Sequence, residues 1–171
     1  MSTNTIISEK ELFIKMVISN WDLQVGRMNS LIAKLSDEEL STPTAPGRNT
    51  GVYLLGHLAA VSDGMFAFLG IGEKLNPKME ELFVRNPEGS GMEKPSVAEL
   101  KDYWNEVNAL LSEKMSQIAP EEWFNRHTAV SEEDFAKEPH RNKLNIVINR
   151  TNHLSYHLGQ LAFLVKKVTT A

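Results

Sequence analysis

Apolar residues recur every three or four positions over four long stretches of the chain, which is the spacing of one face of an α-helix. The first stretch starts at a capping box, Ser8 with Glu11, and predicts a helix over residues 9–35. The second follows Thr50, a suitable N-cap, and Gly70 ends it. Its apolar positions are Leu54, Leu58, Val61, Met65, Phe68 and Leu69.

The second half of the chain predicts two further helices. Ser96 with Glu99 forms another capping box at the start of a helix that runs to about residue 118. The last helix is predicted over residues 143–167, where Lys166 and Lys167 would suit the negative end of its dipole.

The connection over residues 73–94 contains two prolines and two glycines and is too long for a tight hairpin. It predicts a crossover along the helices, with one or two helical turns at residues 78–84. No stretch shows a convincing strand pattern. The expected fold is therefore all-α, a four-helix bundle with a long crossover between its second and third helices.

Composition narrows the class of protein. The chain has 171 residues, of which 42% are hydrophobic and 23% charged, and this predicts one folded domain over residues 1–171. A net charge of -4, without a basic stripe, argues against a nucleic-acid partner. The absence of cysteine excludes disulfides and thiolate ligands. The N-terminus does not resemble a signal peptide, which favours a cytoplasmic protein.

One segment, residues 51–72, is apolar and about as long as a membrane span. His57, Ser62 and Asp63 lie near its middle. An aspartate at mid-membrane costs about 2.5 kcal/mol or more on insertion scales. A helix buried in the protein is therefore favoured, with no membrane involved.

Two histidines on the last predicted helix, His153 and His157, are four residues apart, so their imidazoles share one face about one turn apart. Ile146, Leu161 and Leu164 lie along the same line of the helix, so this face should point inward. The pair has the geometry of a chelating site. Two histidines seldom complete a metal site, so another helix should supply a third ligand.

His57 is that candidate, because Leu54 and Val61 flank it on an inward face of the second helix. Neutral imidazoles are good ligands for zinc, nickel, copper or iron, and three of them leave one or more positions open. The alternative, hydrogen-bonded core histidines, stays open from spacing alone. His127 and His140 lie in polar connections and are predicted to be solvated surface residues.

A ligating imidazole usually donates its other N–H to an oxygen. Candidates to orient an imidazole or to meet a substrate are Asn149 and Gln160 and, more weakly, Tyr53 and Tyr156. The alternative role of the two amides is that of ordinary polar residues between helices. Asp63 lies about a third of a turn off the His57 face, which argues against it as a fourth ligand.

Residues 53–58 (YLLGHL) and 153–161 (HLSYHLGQL) resemble the DinB/YfiT-like superfamily, whose members are regarded as metalloenzymes. The likeness extends over most of the chain. It implies a four-helix bundle in which His57, His153 and His157 bind a divalent ion, often nickel or zinc. Homodimers are common in that group. Leu158 departs from the pattern, because relatives often carry a second histidine or a basic residue there, and this leaves the substrate in question.

The resemblance also implies a function. Characterised relatives include S-transferases and isomerases that use a low-molecular-weight thiol, so the expected activity is metal-dependent thiol transfer to a small-molecule substrate. A metal-dependent hydrolase and a non-catalytic metal- or ligand-binding module of a stress response are the alternatives. A polar cleft that opens beside the three histidines would favour an enzyme, whereas a sealed site would favour the non-catalytic module. The sequence assigns no general base.

Overall fold

Seven α-helices lie in residues 7–165, the part of the chain that this computed structural model describes. They are α1 (Glu9–Ile32), α2 (Asp37–Leu40), α3 (Gly51–Leu69), α4 (Pro77–Glu80), α5 (Val97–Ser116), α6 (Glu132–Lys137) and α7 (Lys143–Leu161). One π-helical turn, Glu81–Arg85, continues α4, and 3-10 turns occupy Glu122–Phe124 and Ala162–Leu164. Within residues 7–165 there are isolated β-bridges but no strand, which confirms the all-α class.

The predicted helix starts are confirmed by their side-chain caps. The Ser8 and Ser96 hydroxyls each accept the backbone N–H three residues later, and the glutamate at that position binds back to the serine N–H. The Thr50 hydroxyl accepts the Tyr53 N–H at 3.2 Å. Each cap satisfies donors that the first turn of a helix leaves without an intrahelical partner.

Two predicted helix ends are wrong. α1 ends at Ile32 and not at residue 35, although Leu35 is only 3% exposed. The apolar spacing continues past the last helical hydrogen bond, because the turn after α1 still buries a leucine. α7 ends at Leu161 and passes into the 3-10 turn. The predicted Lys166 and Lys167 lie outside the described residues.

The four long helices pack side by side. α3 contacts α5 and α7, and α1 contacts the same two helices. Buried residues from all four form one hydrophobic cluster, which includes Trp21, Met28, Phe66, Trp104, Leu111 and Leu154. The contact between α3 and α7 matters most for function, because it brings His57 near His153 and His157.

α3 is long and apolar enough to cross a membrane, with a mean hydropathy of 1.5. However, 72% of this stretch is buried among the other helices, which is the environment of a core helix. Its aspartate, Asp63, is 1% exposed. The carboxylate accepts the N–H groups of Leu75 and Asn76 at 2.7 and 3.1 Å and the Tyr103 hydroxyl at 2.7 Å. Asp63 thus ties the chain after α3 to α5.

The chain after α3 folds back onto that helix. α4 and the π-helical turn both pack against α3, in agreement with the helical turns predicted over residues 78–84. Phe83 of the π-helical turn is fully buried. Its ring lies directly over Gly56, where a Cβ atom would lie 2.5 Å from the ring. This close approach places the backbone of residues 81–86 beside His57.

Candidate metal centre

Three imidazoles converge where α3 meets α7. The Nε2 atom of His153 lies 3.1 Å from Nε2 of His57 and 3.0 Å from Nε2 of His157. The rings meet edge to face, with centroids 4.6 to 5.2 Å apart. All three side chains are half-buried. The structure therefore brings together the three histidines that the sequence singled out, and we call them the histidine triad.

Hydrogen bonds at the far side of two rings fix their tautomers. Nδ1 of His57 lies 2.8 Å from the carbonyl oxygen of Phe83, an acceptor only, so Nδ1 carries the proton. Nδ1 of His157 lies 2.7 Å from Oε1 of Gln160, whose amide group donates to the Tyr156 hydroxyl at 3.4 Å. Both neutral rings consequently present a bare Nε2 lone pair toward His153.

Lone pairs in this arrangement favour a bound cation. Nε2 of His153 can carry one proton, which can satisfy only one of the two facing nitrogens. Tetrahedral zinc with nitrogen ligands at about 2.0–2.1 Å holds them about 3.3–3.4 Å apart, within a few tenths of an ångström of the two distances here. The donor set therefore fits a divalent ion, and the three nitrogens leave a further coordination position open.

Burial keeps the triad neutral. It lowers the pKa of His57 and of His157 below the ordinary value. Burial lowers the pKa of His153 to about 4, with smaller contributions from repulsion by protonated His157, protonated His57 and Arg150. Histidine binds a metal only in its deprotonated form. The three rings are thus in the ligating form at neutral pH.

Of the four residues predicted to orient an imidazole or to meet a substrate, one contacts a triad imidazole through a hydrogen bond. Gln160 contacts His157, as described above. Tyr53 stacks on His57 with ring centroids 6.5 Å apart, but its hydroxyl donates to the carbonyl of Asn86 at 2.6 Å and not to an imidazole. Asn149 is exposed, and no hydrogen bond joins it to the triad in the described structure. Tyr156 is 64% exposed, beside Gln160.

The remaining two histidines lie away from the triad. His140 is exposed, as predicted. His127 was predicted to be a solvated surface residue, and this is wrong, because the side chain is half-buried and its Nδ1 atom is buried without a hydrogen-bond partner. Burial, together with the charges of Arg141 and Arg126, lowers the pKa of His127. The polar composition of the connection gives no indication that His127 is partly buried.

A sequence model of the DinB superfamily matches residues 21–161, more than three quarters of the chain. The chain belongs to the DinB superfamily. No curated protein matches it. The matched range contains the whole histidine triad, so the motif resemblance and the site geometry concern the same residues of this DinB protein.

Two pockets border the triad of this DinB protein. One, of about 250 Å³, is lined by His57 and His153 together with Phe68 of α3 and Arg150 of α7. The other, of about 180 Å³, is lined by His157 and Gln160. Sequence reasoning missed Arg150, although it precedes His153 by three residues and therefore shares its helix face.

Sequence reasoning also missed the carbonyl of Phe83. Phe83 lies 26 residues after His57, in the last turn before Asn86. Carbonyls at a helix end lack intrahelical donors, so they are free to accept from a side chain. A π-helical turn is rare in proteins and often lies at a functional site. A pattern of side chains carries no signal for such a backbone acceptor.

Gly56→Ala should disturb the triad through Phe83. The new Cβ would lie 2.5–2.6 Å from three atoms of the buried Phe83 ring, so the ring and its carbonyl must move away from His57. We expect a loss of about 1–3 kcal/mol in the free energy of unfolding, measured by urea denaturation. We also expect roughly tenfold weaker metal binding, because the hydrogen bond that orients His57 is lost.

Gly64→Ala is the matched control on the same helix. Its Cβ would lie 3.8 Å from the nearest atom, in Phe68, which is an ordinary contact. The substitution should raise the free energy of unfolding by about 0.5–1 kcal/mol, because alanine loses less backbone entropy than glycine in a helix. Equal effects of the two substitutions would refute the role given to Phe83.

Proposed function

We propose that this DinB-superfamily protein holds one divalent ion, nickel or zinc, on His57, His153 and His157 and activates a low-molecular-weight thiol for transfer to an electrophile. The convergence of three Nε2 atoms, two of them bare, carries the metal part of this proposal. Superfamily membership supports it independently. The thiol is what the resemblance of residues 53–58 and 153–161 to the DinB/YfiT-like superfamily implies, since its characterised relatives include thiol-dependent S-transferases and isomerases.

The chemistry follows from an open coordination position. A divalent ion bound to three neutral imidazoles would lower the pKa of a thiol there and so supply thiolate at neutral pH. In the proposed reaction the thiol proton passes to solvent and the sulfur forms a bond to an electrophilic carbon. The bond between that carbon and a halogen breaks, and its electron pair leaves with the halide. The triad positions the sulfur, while the pocket beside His57 and His153 holds the electrophile.

The shape of the site supports an enzyme more than a binding module. The pocket beside His57 and His153 also contains the charged side chains Lys74, Glu80 and Arg150, so a cleft with charged groups in an otherwise apolar lining adjoins the histidine triad. His57 and His153 line this pocket together with Phe68, so both imidazoles border its space. Among the described residues no carboxylate or fourth histidine joins the triad. A position for a substrate atom is therefore available.

The proposal also covers the arrangement of the helices, the number of domains, the cellular location and the partners. The contacts of α1 with α5 and α7, and of α3 with the same two helices, support a four-helix bundle with residues 70–96 as its crossover. We propose one domain and a cytoplasmic location, without a nucleic-acid or membrane partner. Exposed apolar side chains on α1, including Leu12, Phe13 and Met16, support a homodimer.

The test compares a thiol with its hydroxyl analogue on cobalt(II)-substituted protein. L-cysteine should produce a near-ultraviolet sulfur-to-cobalt absorption band that L-serine does not produce, and His153→Ala should abolish the band. In a parallel assay, metal-loaded protein should catalyse thioether formation between the same thiol and 1-chloro-2,4-dinitrobenzene. Treatment with a chelator should remove this activity.

Each alternative function predicts a different result. Release of p-nitrophenol from p-nitrophenyl acetate without any thiol, with no cysteine-dependent band, would replace the transferase with a metal-dependent hydrolase. Bound metal with neither reaction would favour a non-catalytic binding module. Absence of bound metal in the wild type would overturn all three metal-based assignments.

A further inference from the structure

The pocket beside the triad combines apolar walls with one unpaired cation. Its apolar lining comes from Ala60, Val61, Phe68 and Val84, and its charged lining from Lys74, Glu80 and Arg150. Its volume of about 250 Å³ lies below the ~300–1,000 Å³ typical of sites for drug-sized ligands. A small molecule with an apolar body fits this lining.

Arg150 differs from the other cation of the pocket in having no counter-ion among the residues that the structure describes. Lys74 pairs with Glu80, and that carboxylate also accepts from Arg85 at 3.0 Å. Within residues 7–165, no carboxylate oxygen lies within the 4.0 Å limit of an ion pair with Arg150. Its Nε atom is buried without a hydrogen-bond partner, and its guanidinium lies 5.7 Å from the centre of the Phe68 ring.

An unpaired and partly buried guanidinium is costly, since burial of a charge is unfavourable unless a partner compensates it. Arg150 is close enough to the triad that its charge acts on His57 and His153. A guanidinium presents parallel N–H donors that match both oxygens of a carboxylate. A ligand anion in this pocket would therefore supply the missing counter-ion beside the triad.

We infer that the pocket takes a small organic carboxylate with an apolar body, with its carboxylate on Arg150 and its apolar part against Phe68, Val61 and Val84. In the proposed transfer this ligand is the electrophile, and that role rests on the proposed function. The recognition of the anion by Arg150 does not require the metal. The two ideas can consequently fail separately.

The test uses benzoate and its neutral analogue benzamide, titrated by calorimetry into metal-loaded and chelator-treated protein. Wild type should bind benzoate at least about tenfold more tightly than benzamide in both forms, as expected for a charged hydrogen-bonded pair. Arg150→Gln should remove this preference. Arg150→Lys, which keeps the charge without the paired donors, should retain only part of it.

Arg27→Gln is the matched control, because it removes the same charge from an exposed position that lines a separate groove on α1. It should leave the preference for benzoate unchanged. An unchanged preference in Arg150→Gln or Arg150→Lys, or no preference in wild type, would overturn the inference. Metal content is measured on the same samples. Wild-type protein that binds no metal but still prefers benzoate to benzamide would refute the proposed function and support the anion site.

Discussion

Replacing His153 by alanine should weaken the binding of a divalent ion at least about 100-fold, the largest effect that we expect on function. Nε2 of His153 lies within 3.1 Å of both other Nε2 atoms, so its removal leaves His57 and His157 without the shared third ligand. Loss of a residue that only orients a ligand already costs about 10–100-fold in metal affinity. Competition with a chromophoric chelator measures the affinity.

Two further variants should have smaller effects on metal affinity than His153→Ala. Gln160→Leu removes the oxygen that lies 2.7 Å from Nδ1 of His157, so it should cost about tenfold while the three ligands remain. His140→Ala removes an exposed histidine outside the triad and should leave the affinity unchanged. Similar losses for His140→Ala and His153→Ala would show that the triad is not the binding site.

Replacing Asp63 by alanine should lower the free energy of unfolding by about 3 kcal/mol or more, the largest effect that we expect on stability. The variant removes a carboxylate that is 1% exposed, and the N–H groups of Leu75 and Asn76 and the Tyr103 hydroxyl lose their acceptor. A hydrogen bond to a charged group contributes about 1.5–3 kcal/mol, and the variant loses three of them. Urea denaturation measures the change.

Asp102→Ala is the control for this prediction, because it removes a carboxylate from an exposed position on α5, next to Tyr103. We expect a change within about 0.5 kcal/mol, as for most surface substitutions. Asp63→Ala should also weaken metal binding, since Asp63 anchors the chain that leads to Phe83 and thus to His57. A loss below 1 kcal/mol for Asp63→Ala would contradict the anchoring role.

The helix starts followed from the sequence because capping is local. Serine or threonine followed three residues later by glutamate satisfies donors within a single turn, and neighbouring elements need not be known. The helix ends were less predictable. Leu35 is 3% exposed outside α1, so the apolar spacing reports burial and not the last helical hydrogen bond.

The parts of the candidate site that depend on helical spacing could be predicted from the sequence. The parts that depend on backbone groups far away in the chain could not. Spacing singled out His153 and His157, but the same rule failed for Asn149. A step of four residues along an α-helix turns about 40° past one full turn. Asn149 precedes His157 by two such steps, so it lies about 80° around the helix from His157, and it is exposed. The carbonyl of Phe83 reaches His57 only through the packing of the π-helical turn on α3.

X-ray absorption spectroscopy of protein loaded with one equivalent of zinc or nickel tests the central claim most directly. The metal centre described here predicts three imidazole nitrogens as protein ligands, at about 2.0–2.1 Å for zinc, with the remaining coordination from solvent. In His57→Ala the imidazole count should fall or the ion should be lost. Failure to bind the ion, or coordination that is unchanged in His57→Ala, would contradict a metal centre built on His57, His153 and His157.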